Sequence, residues 1–408
     1  MKDVYQAVRV TDHVYWVGAI DWNIRDFHGY TTPRGSTYNA YVILGDQVAL
    51  LDTVKAPFMD EMMYRIASVV DPQKISVLIS NHSELDHSGG LPAAVEAIRP
   101  DKVYASPVGV RTLRELFHGA LEVLTLKDGD RLSLGNLNLT FLETRMLHWP
   151  DSMFSYLEEE AVLFSQDAFG MHLASLDRFD DEMDPDVLKY EAATYFANIL
   201  LPYAPLVTQL LERVGGLGLR LGTVAPDHGP IWRRDIPVIL DAYGRWARQE
   251  PTRKAVVVYA TMWHSTERMA RALSEGLKAG GAEVRVMSMD HVHRSQVAYE
   301  LLEAGALICG SPTLNNHILP NMADVMTYLK GLKPRNLLGA AFGSYGWSGE
   351  SVRQLNDILA EMKVDRVGEG IRVKHRPDAG VLADCYALGR EIGERLSATA
   401  APAASITS

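Results

Sequence analysis

The chain has 408 residues, 47% of them apolar, and a formal net charge of -11. That length outgrows one ordinary hydrophobic core and predicts two domains, while the acidic balance argues against nonspecific nucleic-acid binding, which needs a basic surface. Only Cys309 and Cys385 occur, which leaves no room for a disulfide framework, a cysteine-ligated iron-sulfur cluster or a built-in rubredoxin, and makes a reducing cytoplasm the expected setting.

The N-terminal Met1-Lys2-Asp3-Val4-Tyr5 lacks the apolar core of a signal peptide. After a β-rich stretch over 38–51, the run Ile75-Ser76-Val77-Leu78-Ile79 predicts a strand leading into Asn81-His82-Ser83-Glu84-Leu85-Asp86-His87-Ser88-Gly89-Gly90. Four metal-ligand side chains, His82, Glu84, Asp86 and His87, fall within six positions. On a strand, His82, Glu84 and Asp86 would share a face and His87 would point away. A tight loop, with Gly89 and Gly90 allowing a sharp turn, can bring all four to one point. A solvated polar loop opening a helix is the alternative, and the density of ligands weighs against it. Two carboxylates among four donors favour harder, often redox-active ions such as iron or manganese over zinc.

Three further candidates each follow an apolar, strand-like run: His148 after 139–142, Asp167 after 161–164, and His228 after 221–225. Taken singly, each is more often a turn or cap residue. Together with the first cluster they give seven donors, about what two octahedral-leaning ions need if one carboxylate bridges them and solvent completes the shells. The most apolar long stretch, 196–211, is interrupted by Pro202 and Pro205, so no membrane span is expected.

The rhythm changes near residue 250, where 249–254 reads as a polar, Pro-containing linker. Strand-like 255–260, 283–287, 306–310, 337–342 and 366–373 alternate with helical stretches, which predicts a doubly wound parallel sheet. Ligands of such sheets bind at the C-terminal ends of the strands, and three loops lie there. The first, Thr261-Met262-Trp263-His264-Ser265-Thr266, opens a helix and offers hydroxyls and backbone N-H groups to a phosphate monoester. It has neither Gly-x-Gly-x-x-Gly nor a Walker lysine, which disfavours dinucleotides and ATP. The second carries Pro312, Thr313, Leu314 and Asn315, and the third Ser344, Tyr345, Gly346, Trp347 and Gly349. Trp347 or Tyr345 can stack on a flat isoalloxazine.

The pattern His82-x-Glu84-x-Asp86-His87, then His148, Asp167 and His228, resembles the diiron site of the flavodiiron proteins. The three later loops resemble the FMN site of flavodoxins and of flavodiiron C-terminal domains. The resemblance covers roughly residues 5 to 395. It implies an α+β and α/β two-domain chain: an N-terminal metallo-β-lactamase-like αββα sandwich over 1–250 and a flavodoxin-like doubly wound sheet over 251–398, with 399–408 a disordered tail. By the same resemblance His82, Glu84 and His148 bind one iron, Asp86, His87 and His228 bind the other, and Asp167 bridges. In some family members the histidine matching His87 is turned away and replaced by water. His28, His172 and Tyr195 match pocket positions near bound diatomics, and a structural role is the alternative for each. The family further implies reduction of O2 to water or of NO to N2O. Electrons would reach the irons through FMN from a rubredoxin-type donor or a reductase. A head-to-tail homodimer, or a dimer of dimers, would set one subunit's FMN against the other's irons, with Trp149 a candidate to touch the partner's flavin. Two rivals remain: a hydrolase of the lactamase fold joined to a flavodoxin module, which Glu84 in place of the usual histidine opposes, and an electron carrier using FMN alone. His118, His291, His293, His317 and His375 show no convergent spacing and read as surface or structural residues.

Overall fold

The computed structural model describes residues 4–399; the tail expected from 399 onward falls, beyond Thr399, outside the described residues. The chain forms two compact units. The first takes residues through Tyr195 together with Pro205–Gly244, and the second takes Phe196–Ala204 and the chain from Arg245 onward.

The first unit holds two sheets. One is seven-stranded, in the spatial order Val8–Arg9, Val14–Trp16, Tyr41–Leu44, Val48–Leu51, Ile75–Ser80, Lys102–Ala105, Leu124–Thr125. The other is five-stranded, in the order Arg131–Ser133, Asn138–Glu143, Met153–Leu157, Val162–Gln166, Thr223–Pro226. Strand alternation explains the layering. Tyr41, Ile43, Leu51, Val77 and Ile79 turn to one side and bury with Phe141, Met153 and Phe164 of the second sheet. Val42, Leu50 and Leu78 turn to the other side and bury with Met62 and Ile66 of helix Met59–Val69 and with Leu91 and Ile98 of helix Leu91–Ile98. Two sheets face to face with helices outside is the lactamase-type sandwich that the ligand pattern implied.

The prolines break the apolar stretch as expected. A π-helical turn over Phe196–Leu200 and a 3-10 turn over Leu201–Tyr203 precede helix Ala204–Gly216. The π-helical turn belongs to the second unit, where Asn198 donates to Ser295 O and accepts from Tyr328 Oη.

The second unit is a parallel sheet in the order Glu283–Ser288, Lys254–Tyr259, Ala306–Gly310, Leu338–Tyr345, closed by Asp365–Arg366 and Ile371–Lys374, which both pair with Leu338–Tyr345. Val256, Val257 and Val258 are all fully buried, as a strand covered on both faces requires. Two expectations need correction. The single strand predicted over 366–373 is two short ones, because Gly368 and Gly370 adopt φ of 72° and 86°, outside the extended region. The fourth strand runs on to Tyr345, so Ser344 and Tyr345 are strand residues, not loop residues.

Candidate metal centre and flavin cavity

Strand Ile75–Ser80 delivers His82 and Glu84, as expected, on an irregular segment. Asp86 and His87 instead sit on a one-turn helix, Leu85–Ser88, whose start is fixed by Glu84 O accepting from the N-H groups of His87 and Ser88. Gly89 and Gly90 have ordinary right-handed backbone, contrary to the sharp turn predicted for them. Close approach requires Gly90: a Cβ there would lie 2.3 Å from Met59 Sδ and 2.7 Å from Val54 O. The segment is stitched down by Asp52, which accepts from Asn81 N (2.7 Å) and Asn81 Nδ2 (2.8 Å), and by Asp151, which accepts from Ser83 N (2.6 Å).

Around this segment the structure gathers all seven candidates. The donor atoms of His82, Glu84, His148 and Asp167 lie within 4.8 Å of one another, and those of Asp86, His87 and His228 form a second such group. Asp167, wholly buried, reaches both. Its Oδ2 is 3.3 Å from His82 Nε2 and 2.9 Å from His148 Nε2, and its Oδ1 is 3.3 Å from His87 Nε2 and 3.4 Å from His228 Nε2. Asp86 Oδ2 is 3.2 Å from both His87 and His228, and Glu84 Oε2 is 3.2 Å from His148. His87 therefore points inward.

These donors suit cations. Both carboxylate oxygens of Asp86 and of Asp167, and Nε2 of His87, His148 and His228, are buried with no hydrogen-bond partner among the described residues. Such a set is costly unless positive charge sits among it. Burial alone would raise the Asp167 carboxyl, but the imidazoles of His148, His82 and His87 beside it outweigh that and hold the group well below the usual carboxylate range.

The outer ring nitrogens of three of these histidines face oxygen atoms. His228 Nδ1 is 2.6 Å from Thr37 O, His82 Nδ1 is 3.4 Å from Asp151 Oδ2, and His87 Nδ1 faces Asp227 Oδ2 at 3.6 Å. Contacts of this kind set ring orientation and ligand basicity. Asp151, Asp227, Asp52 and Thr37 were not foreseen. The nearest sequence signal was adjacency, since Asp227 precedes His228 and Asp151 lies three residues past His148.

Three more predicted residues lie close to the donor sets. His28 stands at the tip of a two-residue hairpin between Asp26–Phe27 and Tyr30–Thr31, with φ of 53° at His28 and 76° at Gly29, and its Nε2 is 2.6 Å from Glu84 Oε1. His172 Nδ1 is 2.8 Å from Ser36 Oγ, and its ring centroid is 4.6 Å from that of His228. Burial, then His228 and His28, push its pKa well below the usual value, so the ring is neutral. The Tyr195 ring is 5.2 Å from His172, edge to face, and its hydroxyl is buried with no hydrogen-bond partner among the described residues. Trp149 is half-buried, 5.3 Å from the His82 ring.

In the second unit a cavity of about 380 Å³ opens at the C-terminal ends of the strands. The first loop lines it with Met262, Trp263 and Ser265, the second with Pro312, Thr313 and Leu314, and the end of strand Leu338–Tyr345 and the loop after it with Ser344, Tyr345, Gly346 and Trp347. His375, read from sequence as a surface or structural residue, lines it as well, beside the unforeseen Arg376. Five predicted residues stand back from the wall. Thr266 is buried under it, with Oγ1 3.2 Å from Ser344 Oγ, and Thr261 Oγ1 is buried without a hydrogen-bond partner among the described residues. His264, at φ 60°, turns its ring to Glu267, and Asn315, at φ 51°, forms a hairpin tip. Gly349, at φ 83°, lies under Tyr345, where a Cβ would meet the ring at 3.0 Å. Trp263 and Trp347 are 84% and 86% exposed, so flat apolar faces border an opening whose floor carries hydroxyls at a helix start. Those are the needs of a flavin ring and its phosphate.

A lactamase-type sandwich with two donor sets around one aspartate, in a chain that also carries a flavodoxin-type sheet with a flavin-sized cavity, defines a flavin-linked two-metal oxidoreductase. Comparison with known proteins narrows this further. Residues 37–229 match the ODP family beta lactamase and residues 257–389 match flavodoxin. The chain is 45% identical to the nitric oxide reductase of Moorella thermoacetica over 96% of its own length and 99% of the relative's. The solved structure of rubredoxin oxygen:oxidoreductase from Desulfovibrio gigas superposes with a TM-score of 0.94 at 43% identity, covering 97% of this chain and 99% of that one. The flavodiiron protein from Giardia intestinalis gives 0.93 at 32%, covering 97% of each. The chain belongs to the flavodiiron protein family, oxidoreductases that combine FMN with a non-haem diiron centre. Among the described residues no helix is long and apolar enough to cross a membrane.

Proposed function

We propose that this protein reduces O2 to water, NO to N2O, or both, at two irons held by His82, Glu84 and His148 on one side and by Asp86, His87 and His228 on the other, with Asp167 between them. The position of Asp167 carries the reading, since one buried carboxylate touches four imidazoles drawn from both donor sets. When bound, the ferrous pair supplies electrons to a diatomic held beside it, and FMN replenishes them. The chain's own residues hold and shield the reactants. Asp151, Asp227 and Thr37 fix the imidazoles. His28 holds the free oxygen of Glu84, so that one carboxylate oxygen faces the donor set. Neutral His172 and protonated Tyr195 present an Nε2 and a hydroxyl, each without a hydrogen-bond partner among the described residues, as hydrogen-bonding groups for a small polar guest. Phe27, packed 3.9 Å from the His28 ring and 4.9 Å from that of His172, keeps bulk water off the approach.

FMN would lie in the second unit's cavity, between Trp263 and Trp347, with its phosphate at Ser265 and Thr266. The donor sets and the cavity belong to different units of the chain. A head-to-tail homodimer, with Trp149 against the partner's flavin, would join one subunit's FMN to the other's irons. The relatives named for rubredoxin and for nitric oxide make a rubredoxin-type donor and these two gases the first choices, with the cytoplasm as the setting. Purified protein should carry about two irons and one FMN per chain, and anaerobic assays with each gas should reveal the substrate. Two zinc ions with activity surviving iron removal would point to a hydrolase, and FMN without metal to an electron carrier. A co-expressed heterodimer of an Asp167→Ala chain with a Thr266→Ala, Trp347→Ala chain should keep one working pair. No activity above the two homodimer controls would refute cross-subunit transfer.

A further inference from the structure

Helix Pro185–Tyr195 buries a carboxyl group with no part in holding metal. Glu191 is 4% exposed, and its Oε1 has no hydrogen-bond partner among the described residues. Arg34 Nε stands 3.3 Å away, and the Arg34 side chain is 46% exposed, so the carboxyl is one guanidinium removed from solvent. Among the described residues, Arg34 is the charged group that acts on its pKa, against the effect of burial. One helical turn further on, at position i+4 and hence on the same face, is Tyr195. The Tyr195 hydroxyl is fully buried with no hydrogen-bond partner among the described residues, feels the carboxylates of Asp167 and Asp86, and belongs to a ring packed on His172. The helix thus carries one ionisable group beside half-exposed Arg34 and one hydroxyl at the metal-centre side, each without a hydrogen-bond partner among the described residues.

We propose that Glu191 takes up protons from solvent and passes them, by way of the Tyr195 hydroxyl, to the diatomic substrate. This rests on the function proposed above, because the chemistry consumes protons. O2 takes four with four electrons to give two waters, and two NO take two with two electrons to give N2O and one water; the electrons come from FMN and its donor. In each delivery the Glu191 O-H bond breaks, a bridging water carries the proton to the Tyr195 oxygen, and Tyr195 releases its own hydroxyl proton on the inner side. The carboxylate left behind is reprotonated from water beside Arg34. Burial, opposed only by Arg34, raises the Glu191 pKa to about 7, which keeps a fraction protonated at neutral pH.

The test uses the iron- and FMN-loaded protein as wild type, Glu191→Gln, Glu191→Asp and Arg34→Gln. Wild-type turnover should fall as pH rises through about 7. Glu191→Gln should lower turnover about tenfold or more and lose that inflection, and Glu191→Asp should restore part of both. Arg34→Gln removes the cation that favours the carboxylate, so its inflection should move to higher pH. Reduction of FMN by the donor should be unchanged throughout. Independently of turnover, infrared spectroscopy should show a protonated-carboxyl band that titrates with the wild-type inflection, vanishes in Glu191→Gln and moves up in Arg34→Gln. A wild type that turns over neither gas refutes the functional assignment. An active wild type whose Glu191→Gln variant keeps both rate and inflection, or whose infrared band is indifferent to these substitutions, refutes the relay alone.

Discussion

Glu191→Gln should also stabilise the protein, by an amount that grows as pH rises from about 4.5 and levels off above about 7. Burial lifts the folded-state carboxyl from the usual 4.5 to about 7, with Arg34 pulling the other way. A group whose pKa is raised on folding contributes stability that is fully present below the unfolded value and lost as pH rises through the folded one. At 1.36 kcal/mol for each pH unit between those values, ionising Glu191 costs the folded state about 3 kcal/mol once the pH is well above 7. Glutamine keeps the shape and never ionises. The variant should therefore match wild type near pH 4.5 and exceed it by up to about 3 kcal/mol at pH 8. Losing the contact with half-exposed Arg34 subtracts at most about 1 kcal/mol. Denaturant unfolding of the loaded protein, taken as variant minus wild type at each pH, cancels the other titrating groups. Equal destabilisation at both ends of the range would show that Glu191 is ionised and paired with Arg34 throughout, and would refute the argument.

Asp167→Ala should strip most of the iron and abolish reduction of O2 and NO while leaving FMN content and flavin spectrum intact, because the flavin cavity belongs to a unit with its own core. Retained turnover would exclude Asp167 as the shared ligand. Asp151→Asn, which loosens His82, should weaken iron about 10- to 100-fold in a chelator competition. Thr266→Ala with Trp347→Ala should weaken FMN binding, followed by flavin fluorescence, and leave iron content at the wild-type value. Gly90→Ala drives a methyl group into Met59 Sδ and Val54 O and should cost about 1 to 3 kcal/mol in thermal unfolding.

Much of the candidate metal centre was legible because four of its donor side chains are packed into one short segment and the other three each follow a strand, a placement that the apolar runs expose. The direction of His87 was not legible. It depends on a single helical turn nucleated by Glu84 O, a local choice that hydropathy does not encode. The outer anchors Asp151, Asp227 and Thr37 were invisible for another reason: their partners lie 69, 140 and 191 positions away, and only sheet stacking brings them in. The flavin cavity was read from the loops after three strands, so His375, which follows the last strand, was read as a surface or structural residue and Arg376 was not singled out. The break at Gly368 and Gly370 needed the observed positive φ values, since glycine within a strand-like stretch also fits an unbroken strand.

The two donor sets differ in how far they are sealed. Glu84 and His148 keep 16% and 10% of their side chains open, whereas Asp86 keeps 2% and His87 and His228 none. An ion held by the first set can leave after the His28 hairpin tip lifts from Glu84, but one held by the second can leave only when the sandwich itself loosens. Demetallation should consequently be biphasic. A chelator should first produce a persistent one-iron species, and the remaining ion should exchange at a rate set by breathing of the protein, not by chelator concentration. Loading would run in reverse, with the inner position committed early and the outer one open to whichever metal the cell supplies last.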